Sequence, residues 1–165
     1  MKFPIGIQSF ESLRSEGFVY VDKTALVKKL VSEGKCYFLS RPRRFGKSLL
    51  MSTIEAYFKG KKHLFEGLAM AELETEWKEH PVLHLDLNAK PYTKLQDLYD
   101  LLDDQLTYYE RQYDSIATDK SPEGRFRQLI RSAKQKTGRG AVVLVDEYDK
   151  PILQAIGNEP LQDEF

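Results

Sequence analysis

The 165-residue chain sets 25 Lys+Arg against 25 Asp+Glu, a formal net charge of zero, and 41% of its residues are hydrophobic. That balance fits one globular domain; it excludes a disordered tail and a wholesale polybasic binder of nucleic acid or membrane, leaving only local patches. A single cysteine, Cys36, excludes an intrachain disulfide and a multi-cysteine zinc site, and His63, His80 and His84 lack metal-ligand spacing.

In chain order, Leu26, Val27, Leu30 and Val31 share one helical face and Gly34 stands just past it, which predicts a helix. Residues 36–40 predict a short strand and 41–46 a basic loop. A helix is expected from Lys47, with Leu50, Ile54 and Tyr57 on one side and Gly60 as its stop. A short helix is expected around Trp77, and residues 82–87 predict a second strand. Thr93 with Gln96 reads as a capping box. Behind it Leu95, Leu98, Leu102, Leu106 and Tyr109 keep helical spacing, a stripe read as core packing. Ser121-Pro122 reads as an N-cap followed by Pro at the first helical position. Phe126, Leu129, Ile130 and Ala133 form the next stripe, ended by Gly138 and Gly140. Residues 141–145 are continuously apolar, as expected of a parallel strand covered on both faces. Residues 151–165 read as part of a helix and a polar end, with no strand. Strands alternating with helices imply an α/β fold with a mostly parallel sheet. The longest apolar run is far too short for a membrane span, and the N-terminus MKFPIGIQSF has no apolar signal core. A cytoplasmic protein without a membrane partner is expected.

Two segments carry chemistry. Residues 40–48, SRPRRFGKS, lie between a predicted strand and a predicted helix, the setting of the phosphate loop GxxxxGK[ST]. Gly46, Lys47 and Ser48 match its end, while Arg41 stands where the first glycine belongs. Backbone N–H groups at a helix N-terminus favour anions. Gly46 permits close approach, Lys47 reaches β and γ phosphates, and Ser48 offers a hydroxyl to Mg²⁺. Arg41, Pro42, Arg43, Arg44, Phe45 and Leu49 complete the predicted nucleotide-binding stretch. The second segment is Asp146-Glu147, at the carboxyl end of the most hydrophobic strand, where ligands bind in open α/β sheets. Asp146 is the predicted metal-holding acid and Glu147 the residue that deprotonates an attacking water. Asp149 either adds charge near the metal or forms the turn before Pro151, and Asp86 either supports the metal site or caps a loop.

With these residues in view, FPIGIQSFESLRSEGFVYVDKT, YFLSRPRRFGKSLL and VVLVDEYDKPI together resemble the predicted AAA-ATPase-like family of bacteria, over essentially the whole chain. The resemblance implies a three-layer P-loop NTPase fold with a mostly parallel sheet. It also implies ATP and Mg²⁺ as ligands, Gly46, Lys47 and Ser48 as the phosphate and metal loop, and Asp146 and Glu147 as the acidic pair. An arginine in place of the first glycine is normal for this family. Members commonly carry a restriction-endonuclease-like domain after the ATPase region, so a linked nuclease-like domain is an implied partner. The segment Tyr20-Val21-Asp22-Lys23-Thr24 resembles the family's N-terminal signature, which implies a place near the adenine; the alternative is that Asp22 caps a helix.

Eighteen residues follow Glu147, and they hold no candidate for the strand that this superclass places between the phosphate-loop strand and the acidic strand. The chain therefore reads as one domain, residues 1–165, incomplete at its C-terminus. Unpaired strand edges would make it fold poorly and hydrolyse ATP weakly. The leading function is Mg-dependent ATP hydrolysis. The alternative is a non-hydrolysing, nucleotide-dependent switch that controls a partner or linked domain. Nucleic-acid binding through Arg41, Arg43 and Arg44 is a third reading that the neutral net charge does not favour.

Overall fold

The structure, a computed structural model, describes residues 2–40, 42 and 45–164. Its contacts divide the chain into two compact units, Met1–Glu79 and His80–Phe165.

The first unit is helical among its described residues: α1 (Phe10–Ser15), α2 (Thr24–Glu33), α3 (Lys47–Phe58), a 3₁₀ turn (Lys62–Phe65) and α4 (Ala69–Leu73). Its core is aromatic and aliphatic. Phe10 and Phe65 are fully buried with ring centroids 4.9 Å apart, alongside Leu13, Val27 and Met70. Burying such side chains is worth about 1.5–3 kcal/mol each, the main force holding these short helices. Polar ties fix their order. Arg14 donates to the carbonyls of Leu64 and Glu66. Asp22 accepts from Thr24 N and Oγ1 through one oxygen and from Ala69 N through the other. The buried Thr24 Oγ1 in turn accepts from Met70 N at 3.0 Å. Asp22 thus stands one residue before Lys23, the N-cap of α2, takes the first amide of that helix, and staples α2 to α4. Burial pushes the Asp22 carboxyl up, but the hydrogen bonds from Ala69 and Thr24 outweigh it and hold it below its ordinary value.

Two expectations fail here. Residues 36–40 form no strand; Tyr37 and Phe38 are exposed, and the Tyr37 hydroxyl donates back to the Leu30 carbonyl on α2. A β-like pattern supplies side chains but does not by itself make a strand, which needs a neighbouring ladder, and this segment joins no sheet among the described residues. Nor is there a helix around Trp77. The helical turns come earlier, and Trp77 sits in the left-handed region (φ 42°), closing an aromatic group with Phe65 and Tyr57 at 5.0 and 5.8 Å.

Beside that group, the buried Glu74 carboxylate accepts from Lys28 Nζ and Tyr57 Oη, each at 2.5 Å, and from Glu76 N. The bonds from Lys28 and Tyr57 hold its carboxyl down to about 2. Burial, then the Glu74 acceptor, pushes the Tyr57 hydroxyl above its ordinary value. A carboxyl whose folded value lies below the ordinary 4.5 stabilises the fold above that pH. The contribution is lost as pH falls through the folded value. Acidification from about 4.5 to 2 is thus expected to weaken the first unit, and Glu74→Gln to flatten that dependence, as read by urea denaturation over a pH series.

The second unit is α/β: β1 (Val82–Asp86), α5 (Leu95–Gln112), α6 (Pro122–Thr137), β2 (Val142–Asp146), α7 (Lys150–Ala155) and α8 (Glu159–Glu164). β1 and β2 pair in parallel with Val82 opposite Val142 and Asp86 opposite Asp146. Parallel strands need a crossover, here the α5–α6 hairpin. Leu83 of β1, Leu106 of α5, Tyr113 just beyond that helix, and Leu129 and Ala133 of α6 form the core cluster. Arg125 locks the hairpin, donating to both Glu110 oxygens and to Asp103 and Thr107. Ser121 caps α6 as expected, and Gly138 ends it at φ 70°. The capping partner at α5 is Asp97, not Gln96: its carboxylate takes the amides of Thr93 and Lys94 and the Thr93 hydroxyl, while Gln96 turns to Asp100. Asp is the better acceptor for three donors at one helix start, and those bonds hold its carboxyl below its ordinary value.

The outer edge of β1 is closed by side chains rather than by a strand. Tyr109 Oη accepts from His84 N at 2.8 Å and donates to His84 O, and the Gln105 amide makes the equivalent pair of bonds with Asp86. The sheet can therefore grow only on the β2 side, where no strand pairs among the described residues. β2 is also not covered on both faces. Leu144 is buried, but Val143 and Val145 are 39% and 41% exposed. The reason is position: α5 packs over β1, leaving β2 as the open edge of a two-stranded sheet. The expected three-layer architecture is thus represented by a minimal parallel sheet with helices. Residues 151–155 continue α7 as the expected helix, and beyond a turn at 156–158 the end expected to be merely polar forms α8. No helix among the described residues is long and apolar enough to cross a membrane.

Candidate functional site

The candidate phosphate loop lies in the first unit. Arg41, Arg43 and Arg44 fall outside the described residues; Pro42 and Phe45 are exposed. Gly46 is the N-cap of α3, with φ 74° and ψ 26°. A Cβ there would meet nothing within 4 Å, so it is the backbone conformation that calls for glycine. The first turn of α3 has no side-chain cap and no acidic residue. Among the described residues its leading N–H groups thus lack a side-chain cap, at the positive end of a 12-residue helix. Lys47, Ser48 and Leu49 are half-buried. Among the described residues, the side chains of Lys47 and Ser48 have no hydrogen-bond or ion-pair partner. An ammonium and a hydroxyl flanking an uncapped helix start are the donor set a polyphosphate and its magnesium ion require, so these residues fit both.

The acidic turn lies in the second unit. β2 delivers Asp146 to the carboxyl edge of the sheet, half-buried, where its Oδ1 accepts from Glu147 N at 3.0 Å. Glu147 is half-buried and holds φ 51°, a left-handed conformation that a non-glycine residue adopts only when its surroundings enforce it. Lys150 N closes the turn on Glu147 O at 3.0 Å. Asp149 occupies the N-cap of α7 without a side-chain cap bond. Asp86 caps its own loop, accepting from Asn88 N at 2.8 Å, and the register also sets it directly opposite Asp146. Among the described residues no group of three or more His, Cys, Asp or Glu is placed to hold a metal by itself. A groove along α5, lined by Asp103, Asp104, Thr107, Tyr108, Arg111 and Gln112, includes none of the residues singled out by sequence.

Sequence reasoning missed Lys150, whose ammonium donates to Asn88 O and Lys90 O. A lysine inside a charged motif gives no local sign that its partners lie sixty residues away.

An α/β chain with a small parallel sheet, a helix opening on Gly-Lys-Ser and an acidic pair ending a strand is the pattern of P-loop NTPases. The family model described as "Predicted AAA-ATPase" matches residues 4–165, and the chain belongs to that AAA-ATPase-like family. It is also 42% identical over 153 residues to a protein of Azotobacter chroococcum mcd 1, described as an uncharacterized protein in the vnfD 5′ region. That match covers 92% of this chain and 30% of the relative, so the chain spans less than a third of the length of the curated protein it matches. No solved structure matches the chain.

Proposed function

We propose that the chain binds ATP with Mg²⁺ and hydrolyses it. The observation that carries this reading is the start of α3, where a left-handed Gly46, a first turn without a side-chain cap, and the side chains of Lys47 and Ser48, unpaired among the described residues, leave donors for a polyphosphate. Membership of the AAA-ATPase-like family supports it.

In this reading the α3 amides and Lys47 bind the phosphates, with the neighbouring residues Arg41, Pro42, Arg43, Arg44, Phe45 and Leu49 completing the loop. Ser48 in the first unit and Asp146 in the second each offer an oxygen suited to Mg²⁺, which when bound supplies charge neutralisation across the phosphates. Glu147 accepts the proton of the attacking water. Lys47 stabilises negative charge that grows on the γ-phosphate, a fixed positive charge needing no reorganisation. A linked nuclease-like domain is the partner this activity would serve.

Metal removal tests the reading. Phosphate release from ATP is expected with Mg²⁺, to stop on adding EDTA, and to return when Mg²⁺ is restored. Release that ignores EDTA would count against it.

A further inference from the structure

We propose that Lys150 is a positioning residue for the acidic turn Asp146-Glu147, a role that rests on the hydrolysis reading above. Its Nζ donates to Asn88 O at 2.7 Å and Lys90 O at 3.1 Å, in the loop that leaves β1, and lies 5.8 Å from the Tyr92 ring centroid. Its own amide donates to Glu147 O at 3.0 Å. One residue thus joins the acidic turn to the loop between β1 and α5.

The rest of that loop is tied to the same bodies. Tyr92 is buried, its hydroxyl donates to Leu87 O at 2.7 Å, and its amide donates to Gln154 Oε1 on α7 at 2.8 Å. Leu87 N continues the sheet by donating to Asp146 O at 3.1 Å. The bonds form a closed circuit from Asp146 through Leu87, the loop and Lys150 back to Glu147. Glu147 needs such a circuit, because at φ 51° it persists only where neighbours over-determine its backbone. An ammonium is well suited to closing it, since it offers several donors from one point and binds carbonyls more strongly than a neutral donor does. Lys150 touches no reacting group in this scheme. It acts by holding Glu147 where its carboxylate serves the water.

The test compares Lys150→Met, which keeps the stem and removes the donors, with Lys150→Arg, which restores donors. Steady-state phosphate release is read alongside amide hydrogen exchange and thermal melts. Lys150→Met is expected to lower kcat about 10- to 100-fold, the cost of a small misplacement of a catalytic group. KM for Mg-ATP is expected to hold, and the amides of Lys150 and Tyr92 to exchange faster. Lys150→Arg is expected to recover much of the kcat. An unchanged kcat in Lys150→Met would overturn the proposal. So would a kcat loss accompanied by a collapsed melt in both variants, which would make Lys150 a fold residue only. Failure of the hydrolysis reading shows separately, as absence of turnover in the unsubstituted protein, and it takes this proposal with it.

Discussion

Glu147→Gln is expected to cut ATP turnover by about 10²- to 10⁴-fold, the usual worth of a positioned general base, while leaving Mg-ATP binding in place. The substitution keeps the shape of the side chain while removing its negative charge and its capacity to accept a proton. The backbone bonds of the turn, from Glu147 N to Asp146 Oδ1 and from Lys150 N to Glu147 O, do not depend on that carboxylate. Binding, measured by calorimetry with ATP and Mg²⁺, should therefore survive the loss of phosphate release. Turnover at the unsubstituted rate would show that some other group activates the water. Binding without turnover in the unsubstituted protein would instead favour the nucleotide-dependent switch.

Leu129→Ala is expected to destabilise the second unit by about 2–5 kcal/mol. Leu129 is fully buried on α6 and belongs to the cluster that joins Leu83 of β1 to Leu106 of α5 and to Tyr113 just beyond that helix. Truncation removes apolar contact and leaves a cavity where the helical hairpin meets the sheet. α5 is held there on both sides, because its Tyr109 and Gln105 also close the edge of β1. Collapse of the surroundings to fill the space would disturb those bonds, so the high end of the range is expected. A lowered urea midpoint measures it, and a change under about 0.5 kcal/mol would contradict this role for the cluster.

The helices were legible where period and caps agree. The stripes leading to α2, α3, α5 and α6 give the elements seen, and Gly138 and Ser121 mark ends the structure confirms. The strands at 82–86 and 142–146 were legible because apolar β-branched runs stand apart from their surroundings. Residues 36–40 carry the same local signal and form no strand, since a strand is defined by its partner and not by its own side chains. Distance in sequence hid the rest. Tyr109 reaches His84 across 25 residues, and its spacing made it look like ordinary helix core. Asp97 outcompetes Gln96 at the start of α5 through three bonds that the capping pattern alone does not reveal. The candidate site residues were named from local motifs rather than from the fold around them. Gly46, Lys47, Ser48, Asp146 and Glu147 are short-range motifs whose meaning lies in the element they open or close. Lys150 was not legible, because its role comes from carbonyls in a distant loop.

The most direct measurement is a thermal melt of the protein with and without Mg-ATP, beside Lys47→Ala. Binding through the α3 loop predicts that nucleotide at about one hundred times its dissociation constant stabilises by about 2.7 kcal/mol. For a chain of this size that raises the midpoint by roughly 5–10 °C, and Lys47→Ala should lose the rise. An equal rise in both proteins would place the nucleotide elsewhere, and no rise in the unsubstituted protein would contradict nucleotide binding at this site.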